Sequence, residues 1–165
     1  MTNSVSSVTS PELPSIARMS LSCVPLPIKA IVITRTLNAL FAPLLAAGEL
    51  EFLDGQVINV FVKDADLKFS VRLDHDTLCA GYEELEADLT IQGTVYTFLL
   101  LATRKEDADT LFFHRQLKTS GDTELGLYVK NFLDGLEPES LPYYRILDPI
   151  LRRSLAVADR LARFG

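Results

Sequence analysis

Apolar and polar residues recur with two different periods along this chain, and the change of period separates predicted strands from predicted helices. The clearest alternation of two covers residues 67–74, where Leu67, Phe69, Val71 and Leu73 share one face of a strand. Shorter segments of the same kind, separated by turn residues, predict five more strands at 49–53, 57–63, 78–82, 87–91 and 116–120. Asp54-Gly55 is typical of a hairpin turn between the first two. These segments predict an antiparallel meander with one buried and one wet face.

Helical spacing predicts the remaining elements. An apolar stripe from Ile33 to Leu44 predicts a helix that begins near residue 28, is kinked or divided at Pro43 and ends at Gly48. Residues 95–103 predict a second helix with Thr94 as its N-cap, and 111–113 a short turn or helix. A further stripe, which begins after the N-cap residue Asp122, predicts a helix as far as Gly135.

The order of these elements predicts an α+β fold, in which helices cover one face of a mainly antiparallel meander sheet. We divide the chain into a flexible lead-in rich in Pro and Ser at 1–27, a domain with an N-terminal helix at 28–138, and a C-terminal amphipathic helix at 139–165. That last helix carries arginines on its outer face, which suits contact with anionic lipid headgroups or simple solvation.

Composition limits the classes of protein to which the chain can belong. It has 165 residues, of which 48% are apolar, and a formal net charge of −6. These values indicate one globular domain and argue against a nucleic-acid binder, which needs basic residues to neutralise phosphates. We identify neither a secretory signal nor an apolar run long enough to span a membrane, and Cys23 and Cys79 show no disulfide framework. The expected location is therefore the cytoplasm.

Side chains suited to catalysis are few and scattered. Asp74-His75-Asp76 has residue types that bind zinc or iron, but it lies in a predicted turn, where Asp is common for backbone reasons. Cys79 has no basic neighbour to stabilise a thiolate. We predict no catalytic residues, no metal site and no cofactor, and an enzyme that uses His114 and Asp122 is the alternative.

The apolar segment at 95–102 is unusual because its apolar side chains surround almost the whole predicted helix. A helix that lies on one sheet needs only one apolar stripe. Either a second helix covers the other side, or that side forms the wall of an apolar ligand cavity or a partner surface.

Two sequence runs carry a resemblance to a known family. The runs at 109–117 (DTLFFHRQL) and 121–131 (GDTELGLYVKN), together with the predicted sheet and the apolar helix, resemble the bacterial branch of the sterol carrier protein 2 domain family over about residues 30–137. The resemblance implies a curved, mainly antiparallel sheet covered by helices around an apolar tunnel, without catalytic groups. A prenylated ring or a phospholipid acyl chain is a better expected ligand than a sterol.

The resemblance also implies a function and a set of site residues. Proteins of this branch act in oxygen-independent ubiquinone biosynthesis beside the iron–sulfur hydroxylases UbiU and UbiV. We therefore expect a non-enzymatic accessory factor that binds isoprenoid quinone precursors in the tunnel and presents them to such hydroxylases. The alternatives are a phospholipid carrier without a quinone role and a ligand-free scaffold for protein interactions. Eleven residues on the expected tunnel wall are predicted to bind lipid: Phe69, Val71, Leu89, Ile91, Phe98, Leu101, Phe112, Leu117, Leu125, Val129 and Phe132.

Overall fold

The structure is a computed structural model, and it describes residues 25–82 and 86–137, with six further positions between 149 and 160. Most of the predicted lead-in at 1–27 and of the predicted C-terminal helix at 139–165 lies outside the described residues, as does Cys23. The helices and strands are α1 Leu26–Ala46, β1 Val57–Val62, β2 Leu67–Asp74, β3 Thr77–Gly81, β4 Leu89–Gly93, α2 Val95–Ala102, α3 Ala108–Phe113, β5 Lys118–Gly121 and α4 Thr123–Gly135.

The sheet confirms the α+β class and the mainly antiparallel pairing, and the pairing of its strands departs from the predicted meander only at β4. Its strand order is β3-β2-β1-β4-β5. Strands β1 to β3 form antiparallel hairpins, whereas β4 pairs with β1 in parallel, with Ile58 opposite Leu89. Parallel neighbours cannot be joined by a tight turn, and β2 and β3 lie between β1 and β4 in the sequence. The antiparallel pairing of β5 with β4 completes the sheet.

The segment at 49–53 is not the strand that its sequence predicted. Gly48 has φ +74° and ends α1, since the amides of Gly48 and Glu49 bond to the carbonyls of Leu45 and Leu44. The chain then forms a 3-10 turn at Glu51–Leu53. This turn buries Leu50 and Leu53. The apolar residues that resembled a strand therefore belong to the core cluster.

The two faces of the sheet differ as the alternation predicted. Strand β2 matches its predicted bounds, and Lys68 and Arg72 on its outer face are exposed. Ser70 on the same face is buried, and its hydroxyl donates to the carbonyl of Gly81. The inner face packs against α2, α3 and α4 around one core cluster, whose buried members are Leu50, Leu53, Ile58, Leu78, Leu89, Ile91, Leu100, Leu111, Leu117, Leu125 and Val129.

Helix α1 covers the free edge of β3, and its apolar residues Leu37, Phe41, Leu44 and Leu45 also pack against the core cluster. The Asn38 amide donates to the carbonyl of Leu78 (2.6 Å) and accepts from its N–H (2.9 Å), while the hydroxyl of Thr34 accepts from the N–H of Ala80 (2.9 Å). These bonds satisfy backbone groups that an edge strand would otherwise offer to another chain. Pro43 lies inside α1 and does not divide it. By length and composition α1 could also cross a membrane, although the sequence predicted no span.

Side-chain caps fix where the three shorter helices begin. The predicted N-caps are confirmed, because Thr94 accepts from the N–H of Thr97 (3.1 Å) and Asp122 from that of Leu125 (2.8 Å). Asp107, which the sequence analysis did not single out, caps α3 by accepting from Thr110 (2.6 Å). The bonds from Thr110 lower the pKa of the Asp107 carboxyl, since they stabilise its charged form.

Candidate functional site

Ten of the eleven residues predicted to bind lipid lie on the inner face of the sheet or on helices that pack against it, and Leu117 lies in the turn between α3 and β5. Five of them are fully buried parts of the core cluster: Leu89, Ile91, Leu117, Leu125 and Val129. Leu89 and Leu117 each expose only 1% of their surface. These side chains are packed against their neighbours, so the alternating pattern identified core positions here.

The other six predicted residues are half-buried: Phe69, Val71, Phe98, Leu101, Phe112 and Phe132. All but Phe69 pack against the core cluster, and Phe69 shares the inner face of β2 with Val71. Two of the six line open clefts: Phe112 lines one between α3 and α4, and Phe132 lines one between α1 and α4. A continuous tunnel through the set stays a prediction.

An aromatic cleft opens where the C-terminal half of α1, the 3-10 turn and α4 meet. It has a volume of about 520 Å³ and is lined by Leu44, Glu49, Phe52, Tyr128, Asn131, Phe132, Gly135, Leu136 and Glu137. Tyr128 and Phe132 are one helical turn apart on α4 and therefore face the same side. The tight end of α1 at Gly48 turns the chain so that Phe52 meets both rings.

The rings of this cleft form a continuous row with Phe41 of α1, which lies outside the cleft lining. Phe41 meets Phe132 edge-on at 5.7 Å between ring centroids, Phe132 meets Phe52 at 5.7 Å, and Phe52 stacks on Tyr128 at 6.2 Å. Phe41, Phe52 and Phe132 pack against the core, whereas Tyr128 is 51% exposed. The row therefore leads from the core to the surface.

A second cleft of about 380 Å³ lies between α3, β5 and the first turns of α4. Its lining includes Leu89 and Phe112, both predicted to bind lipid, together with Leu127 and Lys130. The ammonium group of Lys130 is 2.6 Å from the carboxylate of Asp109, and this hydrogen bond raises the pKa of Lys130. The cation in this cleft is thus already paired with an acid. A third, more polar cleft of about 610 Å³ beside the end of α1 includes Asn38, Glu51 and Asp76.

Of the groups considered for chemistry, Asp76 lines the third cleft and Asp122 lines the second, where it also caps α4. The others lie apart from these clefts. His75 is exposed, and its ring is 2.8 Å from the carboxylate of Asp74 in the predicted turn. His114 is exposed at the end of α3, while Asp122 is engaged as the cap of α4. Cys79 is free and half-buried in β3. In the part of the chain that the structure describes, no three His, Cys, Asp or Glu side chains come together as a metal site.

Two aromatic residues of the cleft, Phe52 and Tyr128, were missed by the sequence analysis. Phe52 lay in a segment predicted to be a strand, and Tyr128 lies beside the apolar stripe of α4 that contains Val129. The available signal was the spacing of Tyr128 and Phe132, since two aromatic residues four positions apart on a helix form one surface.

Comparison with known proteins gives consistent matches. The chain matches the model of the SCP-2 sterol transfer family over residues 36–134. It is 38% identical over 129 residues to the ubiquinone biosynthesis accessory factor UbiT of Escherichia coli strain K12. The aligned region covers 78% of this chain and 74% of that protein. Among solved structures, the ubiquinone synthesis protein UbiJ-SCP2 superimposes with a TM-score of 0.53 at 22% identity, over 66% of this chain and 95% of the other.

Proposed function

Because this chain belongs to the SCP-2 sterol transfer family, we propose that it is a lipid-binding accessory factor of ubiquinone biosynthesis. Its proposed ligand is an isoprenoid quinone precursor, which it holds in an apolar site and presents to hydroxylases of the UbiU and UbiV type when oxygen is absent. The proposed role involves no chemical step by this chain, and its proposed location is the cytoplasm. Contact of the C-terminal helix with a membrane stays a prediction.

The observation that supports this role most strongly is the coincidence of two findings. The relative with 38% identity is named as a ubiquinone biosynthesis accessory factor. In this chain, three of the half-buried apolar residues that pack against the core, Leu44, Phe52 and Phe132, line an aromatic cleft that is open to the surface. A prenyl chain gains about 0.8 kcal/mol for each CH₂ group that it buries, so even a few isoprene units would bind well to such a surface.

Complementation tests the pathway assignment. This chain is expressed in an Escherichia coli strain that lacks UbiT, and ubiquinone is measured in cells grown without oxygen. We expect ubiquinone to be restored. A strain that produces this protein in folded form and still lacks ubiquinone would reject the quinone role and favour a phospholipid carrier or a scaffold.

A further inference from the structure

The aromatic cleft offers a flat surface on which a planar ring can stack. Phe52 and Tyr128 are close to parallel, with 21° between their ring planes. Their neighbours Phe132 and Leu44 extend the apolar lining toward the core. Stacking between aromatic rings contributes beyond simple burial of area, so this arrangement favours a planar aromatic or quinone ring over a saturated headgroup.

The polar groups of the cleft favour a headgroup without charge. The side chains of Asn131 and Glu49 supply an amide, which can donate and accept hydrogen bonds, and a carboxylate, which can accept one from a phenol. Among the described residues that line the cleft there is no Lys, Arg or His. These lining residues would therefore give a phosphate or carboxylate headgroup no cation partner to offset the loss of its hydration.

We propose that the cleft between α1, the 3-10 turn and α4 binds the uncharged phenol or quinone ring of the ligand, stacked on Phe52 and Tyr128. This assignment rests on the proposed function and adds the class of headgroup to it. The prenyl tail then lies over the half-buried apolar residues next to Phe132. On this view, the protein discriminates prenylated rings from anionic phospholipids at the headgroup.

The absence of Trp from the chain allows the ring to be located directly. The variant Tyr128→Trp places a single indole in the cleft, and Phe113→Trp places one on a side chain that is 86% exposed and does not line the cleft. Both are titrated with a short-chain ubiquinone that carries two isoprene units, because a quinone quenches indole fluorescence at contact. We expect saturable quenching for Tyr128→Trp and none for Phe113→Trp.

Affinity measurements test the roles of the two rings. The variants Tyr128→Leu and Phe52→Leu keep an apolar side chain and remove the ring, and Phe113→Leu is the matched control. By calorimetry, we expect each cleft variant to bind the quinone about two- to tenfold more weakly than the wild type, from the loss of one aromatic contact. Since Tyr128 is half exposed, Tyr128→Leu is expected to fold even if Phe52→Leu does not.

Charge reversal tests the headgroup selectivity. We expect wild-type protein to bind the quinone more tightly than dilauroylphosphatidic acid. The variant Glu49→Lys is expected to bind the phosphatidic acid about fivefold more tightly than the wild type does, whereas the exposed-loop control Glu86→Lys is expected to leave the affinity for the phosphatidic acid unchanged.

The outcomes separate this assignment from the proposed function. If the quinone binds but Tyr128→Leu and the control Phe113→Leu bind it equally well, the ring lies elsewhere and only the cleft assignment fails. Equal affinity of the wild type for the quinone and for the phosphatidic acid would overturn the headgroup selectivity. If the wild type binds no quinone at all, the proposed function fails with it.

Discussion

Asn38 fastens α1 to the sheet, and its replacement by Ala is the sharpest test of how the domain holds its cleft together. The Asn38 side chain makes two bonds to the backbone of Leu78, at 2.6 and 2.9 Å, and one to the carbonyl of Thr34 within α1. Because α1 also carries Leu44, which lines the aromatic cleft, the contact links the sheet edge to the site.

The magnitude follows from the bonds that are lost. Each of the two bonds to β3 contributes about 0.5 to 1.5 kcal/mol net. The substitution also stabilises α1 by about 0.6 kcal/mol, because Ala is a better helix former than Asn, and this offsets part of the loss. We therefore expect Asn38→Ala to lower the free energy of unfolding by about 0.4 to 2.4 kcal/mol, which is roughly 0.2 to 1.2 M in the urea midpoint at a slope near 2 kcal/mol/M.

Urea unfolding followed by circular dichroism measures this loss, with Thr36→Ala as the control. Thr36 is exposed on the same helix, and its hydroxyl bonds only to the carbonyl of Val32 within α1 in the described structure, so its replacement is expected to change stability by less than about 0.5 kcal/mol. Amide hydrogen exchange adds a local readout, in which the N–H of Leu78 exchanges faster in Asn38→Ala. Equal unfolding free energies for the two variants, with no change at Leu78, would refute the role of Asn38.

Three further predictions concern the elements that position the core and the clefts. Asp64 is buried, and its carboxylate accepts a hydrogen bond from the first backbone N–H of α2 (2.8 Å). We expect Asp64→Ala to lower the free energy of urea unfolding by about 1 to 3 kcal/mol. An unchanged urea midpoint would contradict this prediction. Gly121 has φ +119°, and an added Cβ would overlap the carbonyl oxygen of Asp88. We therefore expect Gly121→Ala to lower the free energy of unfolding, measured by thermal unfolding, by about 2 kcal/mol or more. A variant as stable as the wild type would contradict this prediction. The hydrogen bond to Asp109 raises the pKa of Lys130 in the folded state. The contribution of this ion pair to stability is therefore fully present at neutral pH and is lost as the pH rises through the raised pKa. The free energy of unfolding measured from pH 8 to 11 should fall less in Lys130→Met than in the wild type, and parallel pH profiles of the two proteins would count against the ion pair.

Local patterns predicted the parts of the fold that neighbouring residues determine. The bounds of β2 and the caps Thr94 and Asp122 follow from residues within four positions of each other. The parallel pairing of β4 with β1 does not, because it joins Ile58 to Leu89 across 31 positions and leaves no short-range signal. The 3-10 turn was missed for a similar reason, since tertiary burial of Leu53 overrides the strand-like alternation.

The candidate site was harder to predict than the core. Apolar periodicity selects positions that face the core, and it gave the buried residues Leu89 and Leu117 as well as Phe132, which is half-buried and lines the aromatic cleft. A ligand cleft requires apolar residues that neighbours leave partly open, such as Phe52 and Tyr128, and these lie beside the regular stripe. The packing of α1 against α4 determines which side chains around Phe52 and Tyr128 are left uncovered. Local sequence patterns do not predict that packing.

The central claim is that this protein binds a prenylated lipid, and native mass spectrometry of protein purified without detergent tests it most directly. We expect a fraction of the protein to carry a co-purified prenylphenol or quinone, and the apo protein to take up an added prenylphenol. A wild-type protein that is free of lipid and takes up neither a prenylphenol nor a short-chain quinone would contradict the account.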